Sequence, residues 1–158
     1  MKKILLSFIL LLISMKNAFS LEFFDYKRGL LKAKIENKHV LLNVCDNSYY
    51  CNKLEKDSFN NQNIKNILEE KFVIIKINPL SNNLITVNNK IIFEKDYLEN
   101  LKIDVIPSIY FMNSNGEFIS GIIKGFIPPD KLGPILEYIY TDSYKTLKFK
   151  DFLSKKGN

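Results

Sequence analysis

The sequence predicts a mixed α/β fold: a central sheet of parallel and antiparallel strands flanked by helices, with a small hairpin insert and a C-terminal helical extension. Three observations carry this. Residues 39–44 and 72–77 are short apolar, partly β-branched runs of the kind that form buried strands, and a helical pattern separates them. Residues 108–112 and 118–124 are two further strands joined by Asn113-Ser114-Asn115-Gly116, a strong antiparallel hairpin signal. Pro128-Pro129-Asp130 then opens an amphipathic segment with Leu132, Ile135, Leu136 and Ile139 on one face.

Taken in order, residues 25–37 interleave Leu30, Leu31, Ala33 and Ile35 with Lys27, Arg28, Lys32, Lys34 and Glu36, which suits a short surface helix. The strand at 39–44 runs into the polar turn Ser48-Tyr49-Tyr50-Cys51. Residues 51–72 then show helical spacing at Leu54, Phe59, Ile64, Ile67 and Leu68, with a break near Asn60 and Asn61. The strand at 72–77 stops at Asn78-Pro79. Residues 85–87 and 90–93 flank Asn88-Asn89, a dipeptide that tolerates positive φ and suits a small hairpin. A helix over 94–101 precedes the second strand pair, and the helix that starts at Pro128-Pro129 reaches about Tyr140. In the lysine-rich tail, Leu147, Phe149, Phe152 and Leu153 provide the apolar side of one more short helix.

The chain of 158 residues opens with Lys2 and Lys3, continues with an apolar stretch at 4–13 broken only by Ser7, and reaches the small-x-small triplet Ala18-Phe19-Ser20. This is the pattern of a secretory signal peptide, residues 1–20, cleaved after Ser20. An uncleaved anchor is the alternative, but this ten-residue stretch falls short of the roughly 18 to 20 needed to span a bilayer as a helix. The expected locale is therefore periplasmic or secreted, without stable membrane insertion after cleavage. Residues 21–158 have a length suited to one domain with one core, divided into the domain proper at 21–141 and a basic extension at 142–158. Three of the 23 lysines and arginines lie in the leader, so the net charge of +6 falls to +3 beyond it. No basic block tracks a phosphate backbone, which argues against nucleic acid as a partner.

Cys45 and Cys51 are the only cysteines, and with the single His39 they cannot supply a four-ligand zinc site without distant carboxylates. No metal or cofactor is expected. Export places the cysteines where disulfides persist. Three arrangements remain open. Cys45 can be a small buried core residue and Cys51 an inert thiol at a helix start. The two can form a structural bridge, which needs Cα atoms roughly 4.4–6.8 Å apart. They can also form a redox-active pair. His39, opening a strand after a polar turn, reads as a solvated residue.

These residues resemble the thioredoxin-like superfamily, in particular the small exported thioredoxin-related proteins of bacteria. The resemblance spans roughly residues 25–141. It rests on the strand at 39–44 running into Ser48-Tyr49-Tyr50-Cys51, the helix that follows, Asp104-Val105-Ile106-Pro107-Ser108 before a strand, Asn115-Gly116 between the last two strands, and Gly125-Phe126-Ile127-Pro128-Pro129 before the final helix. It implies that Ser48 stands at the attacking position of a Cys-x-x-Cys pair and Cys51 at the resolving one. A serine has no comparable thiolate, so the ordinary two-thiol cycle does not run through this pair. The family's usual tryptophan is missing, since the chain has no Trp. The resemblance further implies a cis Ile106–Pro107 bond facing the redox turn, with Ile106 offering its backbone to an extended peptide.

The expected activity is accordingly thiol–disulfide exchange or redox homeostasis in the cell envelope with an altered active site: Cys51, Cys45 and Ser48 for chemistry, and Ile106, Pro107, Tyr49 and Tyr50 for binding. The expected partners are protein or peptide thiols and disulfides, met by a monomer. A redox-silent peptide- or protein-binding module is the alternative.

Overall fold

A computed structural model describes residues 20–87 and 89–157, apart from the side chain of Ser120. The expected leader lies, but for Ser20, outside the described residues. Strand β1 (Phe23–Phe24) leads into helix α1 (Tyr26–Glu36), which begins where the Asp25 carboxylate accepts the Arg28 N–H at 2.9 Å. It stops where Asn37 turns to φ 50°, a conformation asparagine tolerates. Strand β2 (His39–Val44) follows, then helix α2 (Tyr49–Lys53), a π-helical turn (Leu54–Phe59) and helix α3 (Gln62–Lys71) capped by Asn61. Strand β3 (Phe72–Ile77), the hairpin β4 (Leu84–Val87) and β5 (Lys90–Phe93), and helix α4 (Glu94–Asn100) come next. Strands β6 (Ser108–Met112) and β7 (Phe118–Lys124), helix α5 (Pro129–Tyr140), a 3-10 turn (Ser143–Lys145) and helix α6 (Phe149–Lys156) complete the order.

The main sheet runs β1-β3-β2-β6-β7. β1 and β2 lie parallel to β3, whereas β6 is antiparallel to both β2 and β7, so the sheet is mixed. The central strands β2 and β3 are covered on both sides, which is why their sequences are continuous apolar runs without alternation. On one face Leu41, Ile74 and Phe111 pack against Leu54, Phe59, Leu68, Leu132 and Leu136 from the π-helical turn, α3 and α5. On the other, Val40, Leu42, Val44 and Ile75 pack against Tyr26, Ala33, Ile85, Tyr97 and Leu98. Helix α6 docks on α5 through Tyr138, whose ring lies 5.2 Å from that of Phe149 and 5.3 Å from that of Phe152.

Two departures from the sequence expectations are structural. The helix expected over 51–72 starts at Tyr49 and is interrupted by the π-helical turn before it breaks at Asn60 and Asn61. Phe23–Phe24, not anticipated, form a two-residue strand at the sheet edge.

Candidate functional site

β2 delivers Cys45 to the end of the sheet. Alternation along the strand sends Val40, Leu42 and Val44 into one core and Leu41 into the other, so Asn43 and Cys45 belong to the face that carries α2. The Cys45 N–H donates to the Ile77 carbonyl at 3.0 Å and extends the parallel ladder by one residue. The chain then turns over Asp46 and Asn47. Asp46 Oδ1 accepts the Ser48 N–H at 2.8 Å, and the Asn52 side-chain amide donates to the Asn47 carbonyl at 3.1 Å. Hydrogen bonding from Ser48, side chain first and backbone next, holds the Asp46 carboxyl below its usual range.

Ser48 occupies the N-cap of α2, and its hydroxyl makes no capping bond. Cys51, in the first turn, faces back toward the strand. The Cα atoms of Cys45 and Cys51 are 5.5 Å apart and their sulfurs are bonded. Of the three arrangements left open by the sequence, separate free thiols is thus corrected: a strand end and a first helical turn bring the two residues within bridging distance. Both cysteines are fully buried, beneath a turn that exposes Tyr49 to 71% and Tyr50 to 58%. The two tyrosine rings meet edge-on at 5.2 Å.

The register places Pro107 beside this bridge. Val44 pairs with Ser108 across the antiparallel β2–β6 ladder, so the next residues outward are Cys45 and Pro107. The Ile106–Pro107 peptide bond is cis. The Pro107 carbonyl accepts the Gly125 N–H at 2.7 Å, and Ser108 Oγ donates to the Val105 carbonyl at 2.6 Å, which fixes the loop from both sides. Pro107 is buried, Ile106 half-buried and Val105 exposed. The fold therefore gathers Cys45, Cys51 and Pro107 at one end of the sheet, with Ser48, Tyr49 and Tyr50 on the exposed turn above the bridge.

Asn43, Lys76, Asn83 and Glu94 of this region escaped sequence reasoning. Asn43 is fully buried with neither side-chain amide atom hydrogen-bonded among the described residues. It pairs in register with Lys76 of β3, whose ammonium meets the Glu55 carboxylate at 2.6 Å. Cys45, Asn47, Lys76, Asn83 and Glu94 share the wall of a cavity of about 270 Å³. Glu94 is buried, its Oε2 lacks a hydrogen-bond partner among the described residues, and burial pushes its carboxyl above the usual range. Asn43 carried a readable signal, a polar residue inside an apolar strand. Glu94 carried none, since an acid opening a helix is ordinarily solvated.

His39 is corrected as well. It is half-buried, with Nε2 3.2 Å from Asp142 Oδ1 and its ring 6.3 Å from that of Tyr144. Burial lowers its pKa against the opposing pull of Asp142. A polar cavity of about 480 Å³ opens there, between Lys38, Lys71 and Lys145, at the end of β2 away from the disulfide. Its charges are already matched in ion pairs, and it holds none of the sulfur chemistry. Among the described residues no group of three or more His, Cys, Asp or Glu side chains is placed to hold a metal ion, and no helix is long and apolar enough to cross a membrane.

With this geometry in place, a family model described as a thioredoxin-like domain matches residues 26–140. No curated protein matches the sequence. Among solved structures, a thioredoxin from Thermus thermophilus superposes with a TM-score of 0.61 at 15% identity, covering 77% of this chain and 88% of that one. A thioredoxin-fold protein from Helicobacter pylori superposes with a TM-score of 0.60 at 19% identity, covering 88% and 85%. The C-terminal domain of DsbD from Neisseria meningitidis, in its reduced form, does so at 0.51 and 18%, covering 73% and 97%. The mixed sheet flanked by helices, with its C-terminal helices, is the thioredoxin-like α/β fold that the sequence led us to expect.

Proposed function

The chain belongs to the thioredoxin-like domain family, and from that premise we propose that it acts in thiol–disulfide exchange in the cell envelope, with the Cys45–Cys51 disulfide as its redox group. One observation carries the proposal: the disulfide joins the end of β2 to the first turn of α2, at the strand end where the register brings Pro107 alongside. In this reading Ser48 stands where relatives carry an attacking cysteine. The exchanging pair is then spaced by five residues instead of two.

The chemistry is a balanced exchange with a protein dithiol. A thiolate of the partner attacks one sulfur of the bridge, forming a mixed disulfide and releasing the other cysteine as a thiolate, which takes up a proton. The partner's second thiol then displaces the remaining cysteine. The protein ends with two thiols and the partner with a disulfide; the reverse order oxidises the protein. Because both cysteines are buried, exchange proceeds through local opening of residues 46–50. That turn is held on its inner side by Ser48 to Asp46 and Asn52 to Asn47, and its remaining surface is solvated.

Ile106 and Pro107 supply a backbone edge for an extended peptide, and Tyr49 and Tyr50 supply exposed aromatic surface above it. Export, through the leader at 1–20, belongs to the same proposal and accords with a persistent disulfide. A coupled assay tests it: oxidised protein incubated with a reduced dithiol peptide accelerates formation of the peptide disulfide, and Cys51→Ser and Cys45→Ser abolish the effect. Wild type indistinguishable from buffer overturns it.

The full burial of both sulfurs favours a second reading, a redox-silent module in which the bridge is a staple and the tyrosine-topped cleft binds a partner. Binding that survives Cys51→Ser but not the double change Tyr49→Ala, Tyr50→Ala separates this reading from the first.

A further inference from the structure

The hairpin β4–β5 stands outside the main sheet as a separate two-stranded unit. Its inner face is settled: Ile85 and Ile92 pair across the strands, and both pack into the core beside α1 and α4. With a side-chain period of two, the outer face is then Leu84 opposite Phe93 and Thr86 opposite Ile91. An outer face on a solvated hairpin is ordinarily polar. Here Leu84 is 61% exposed, Ile91 70% and Phe93 40%, and the preceding turn adds Leu80 at 76%. Leu84, Ile91 and Phe93 share one exposed apolar face, and Leu80 is exposed in the turn that leads into it.

On the hairpin itself the charge is of one sign, and beyond it Lys95 stands between buried Glu94 and half-buried Asp96. No acidic residue occurs between Asn78 and Phe93, while Lys90 begins β5 and Lys95 follows Phe93. Neither lysine forms an ion pair among the described residues, and the Lys95 ammonium sits 5.3 Å from the centre of the Phe93 ring, its stem laid along the apolar face. Leucine, isoleucine and phenylalanine rimmed by free lysines form the composition that seats in the headgroup region of an anionic bilayer, with apolar side chains entering and ammonium groups remaining among the phosphates. A second copy of the chain fits the surface less well, because face-to-face pairing brings two lysine-rimmed patches together.

We propose that the outer face of the β4–β5 hairpin is a peripheral docking surface for anionic phospholipid membranes, through Leu80, Leu84, Ile91 and Phe93 with Lys90 and Lys95. The docking is superficial; the hairpin lies on the bilayer and spans nothing. It has a consequence for the disulfide, since Asn83 and Glu94 at the root of the hairpin line the same cavity as Cys45 and Asn47. A docked hairpin holds the disulfide end of the molecule near the membrane. The inference stands on the exposed face alone and does not depend on redox activity.

Hydrogen–deuterium exchange of the full chain, with and without vesicles, tests it locally and so is blind to any binding by the N-terminal segment. Phosphatidylglycerol vesicles at low salt are expected to slow exchange across residues 80–95. The protection is lost in Leu84→Ser with Ile91→Ser, and is weakened severalfold by Lys90→Glu with Lys95→Glu or by high salt. Thermal melts of both variants stay close to wild type, because the replaced side chains are solvated. Absence of protection at any lipid concentration overturns the proposal, as does equal protection by phosphatidylcholine vesicles. Protection that appears without lipid and grows with protein concentration overturns it in favour of self-association.

Discussion

Ser58 Oγ donates a hydrogen bond of 2.5 Å to the carbonyl of Ile127, tying the π-helical turn that follows the disulfide-bearing helix to the loop that enters α5. Ser58 is fully buried, so neither partner has water to fall back on. Ser58→Ala leaves the carbonyl unpaired and is expected to cost about 1–2 kcal/mol, measured by urea denaturation. A loss within a few tenths of a kcal/mol would show that the tie is dispensable.

Gly29 is a packing requirement of the α1–β3 contact. A β-carbon there would stand 2.3 Å from Ile75 Cγ1 and 2.8 Å from Cδ1, with the Phe24 Cβ at 3.2 Å. Gly29→Ala gains about 1 kcal/mol of helix propensity but forces apart a strand that is buried on both faces, at about 1–3 kcal/mol. The net change is destabilising, seen as a lower denaturation midpoint.

Glu94 gives stability a pH dependence of definite sign. Burial raises its pKa in the folded chain, so between the ordinary carboxylate range and that raised value the folded chain holds a proton the unfolded chain has released. Stability contributed by this group is complete at acid pH and falls as pH climbs through that window. Glu94→Gln removes the dependence. The variant is expected to melt a few degrees above wild type at pH 7 and to lose that advantage near pH 4; a constant difference across the range contradicts the assignment.

Much of this architecture was legible because its signals are local. The β-branched runs of β2 and β3, the Asn-Gly turn between β6 and β7, and the prolines opening α5 each declare themselves within a few residues. The site was legible to the extent that it lies where those elements meet, as Cys45, Ser48, Cys51 and Pro107 do. What escaped depends on partners far along the chain. Phe23–Phe24 is too short to show a period and exists as a strand only against Ile74 and Ile75. His39 is withdrawn from solvent by Asp142, 103 residues later. The bond between Cys45 and Cys51 was left open by the sequence among three arrangements and follows from where a helix starts; the π-helical turn beyond it has no sequence signature.

The disulfide also supports the fold. Closing so short a loop restricts the unfolded chain by about 2 kcal/mol, so Cys45→Ser and Cys51→Ser are each expected to lower stability by about that amount. The fold itself is retained, since the two cores on either side of the sheet do not depend on the bridge. Loss of the near-native circular dichroism spectrum in either variant would contradict this.

The equilibrium reduction potential of the Cys45–Cys51 pair tests the central claim most directly. The protein is equilibrated in graded glutathione and dithiothreitol redox buffers, acid-quenched, alkylated and weighed by mass spectrometry. A redox group of the envelope is expected to give a midpoint in the range of known oxidoreductases, about −120 to −270 mV. A pair that stays oxidised to below about −300 mV behaves as a structural disulfide, and that result would contradict the proposed exchange.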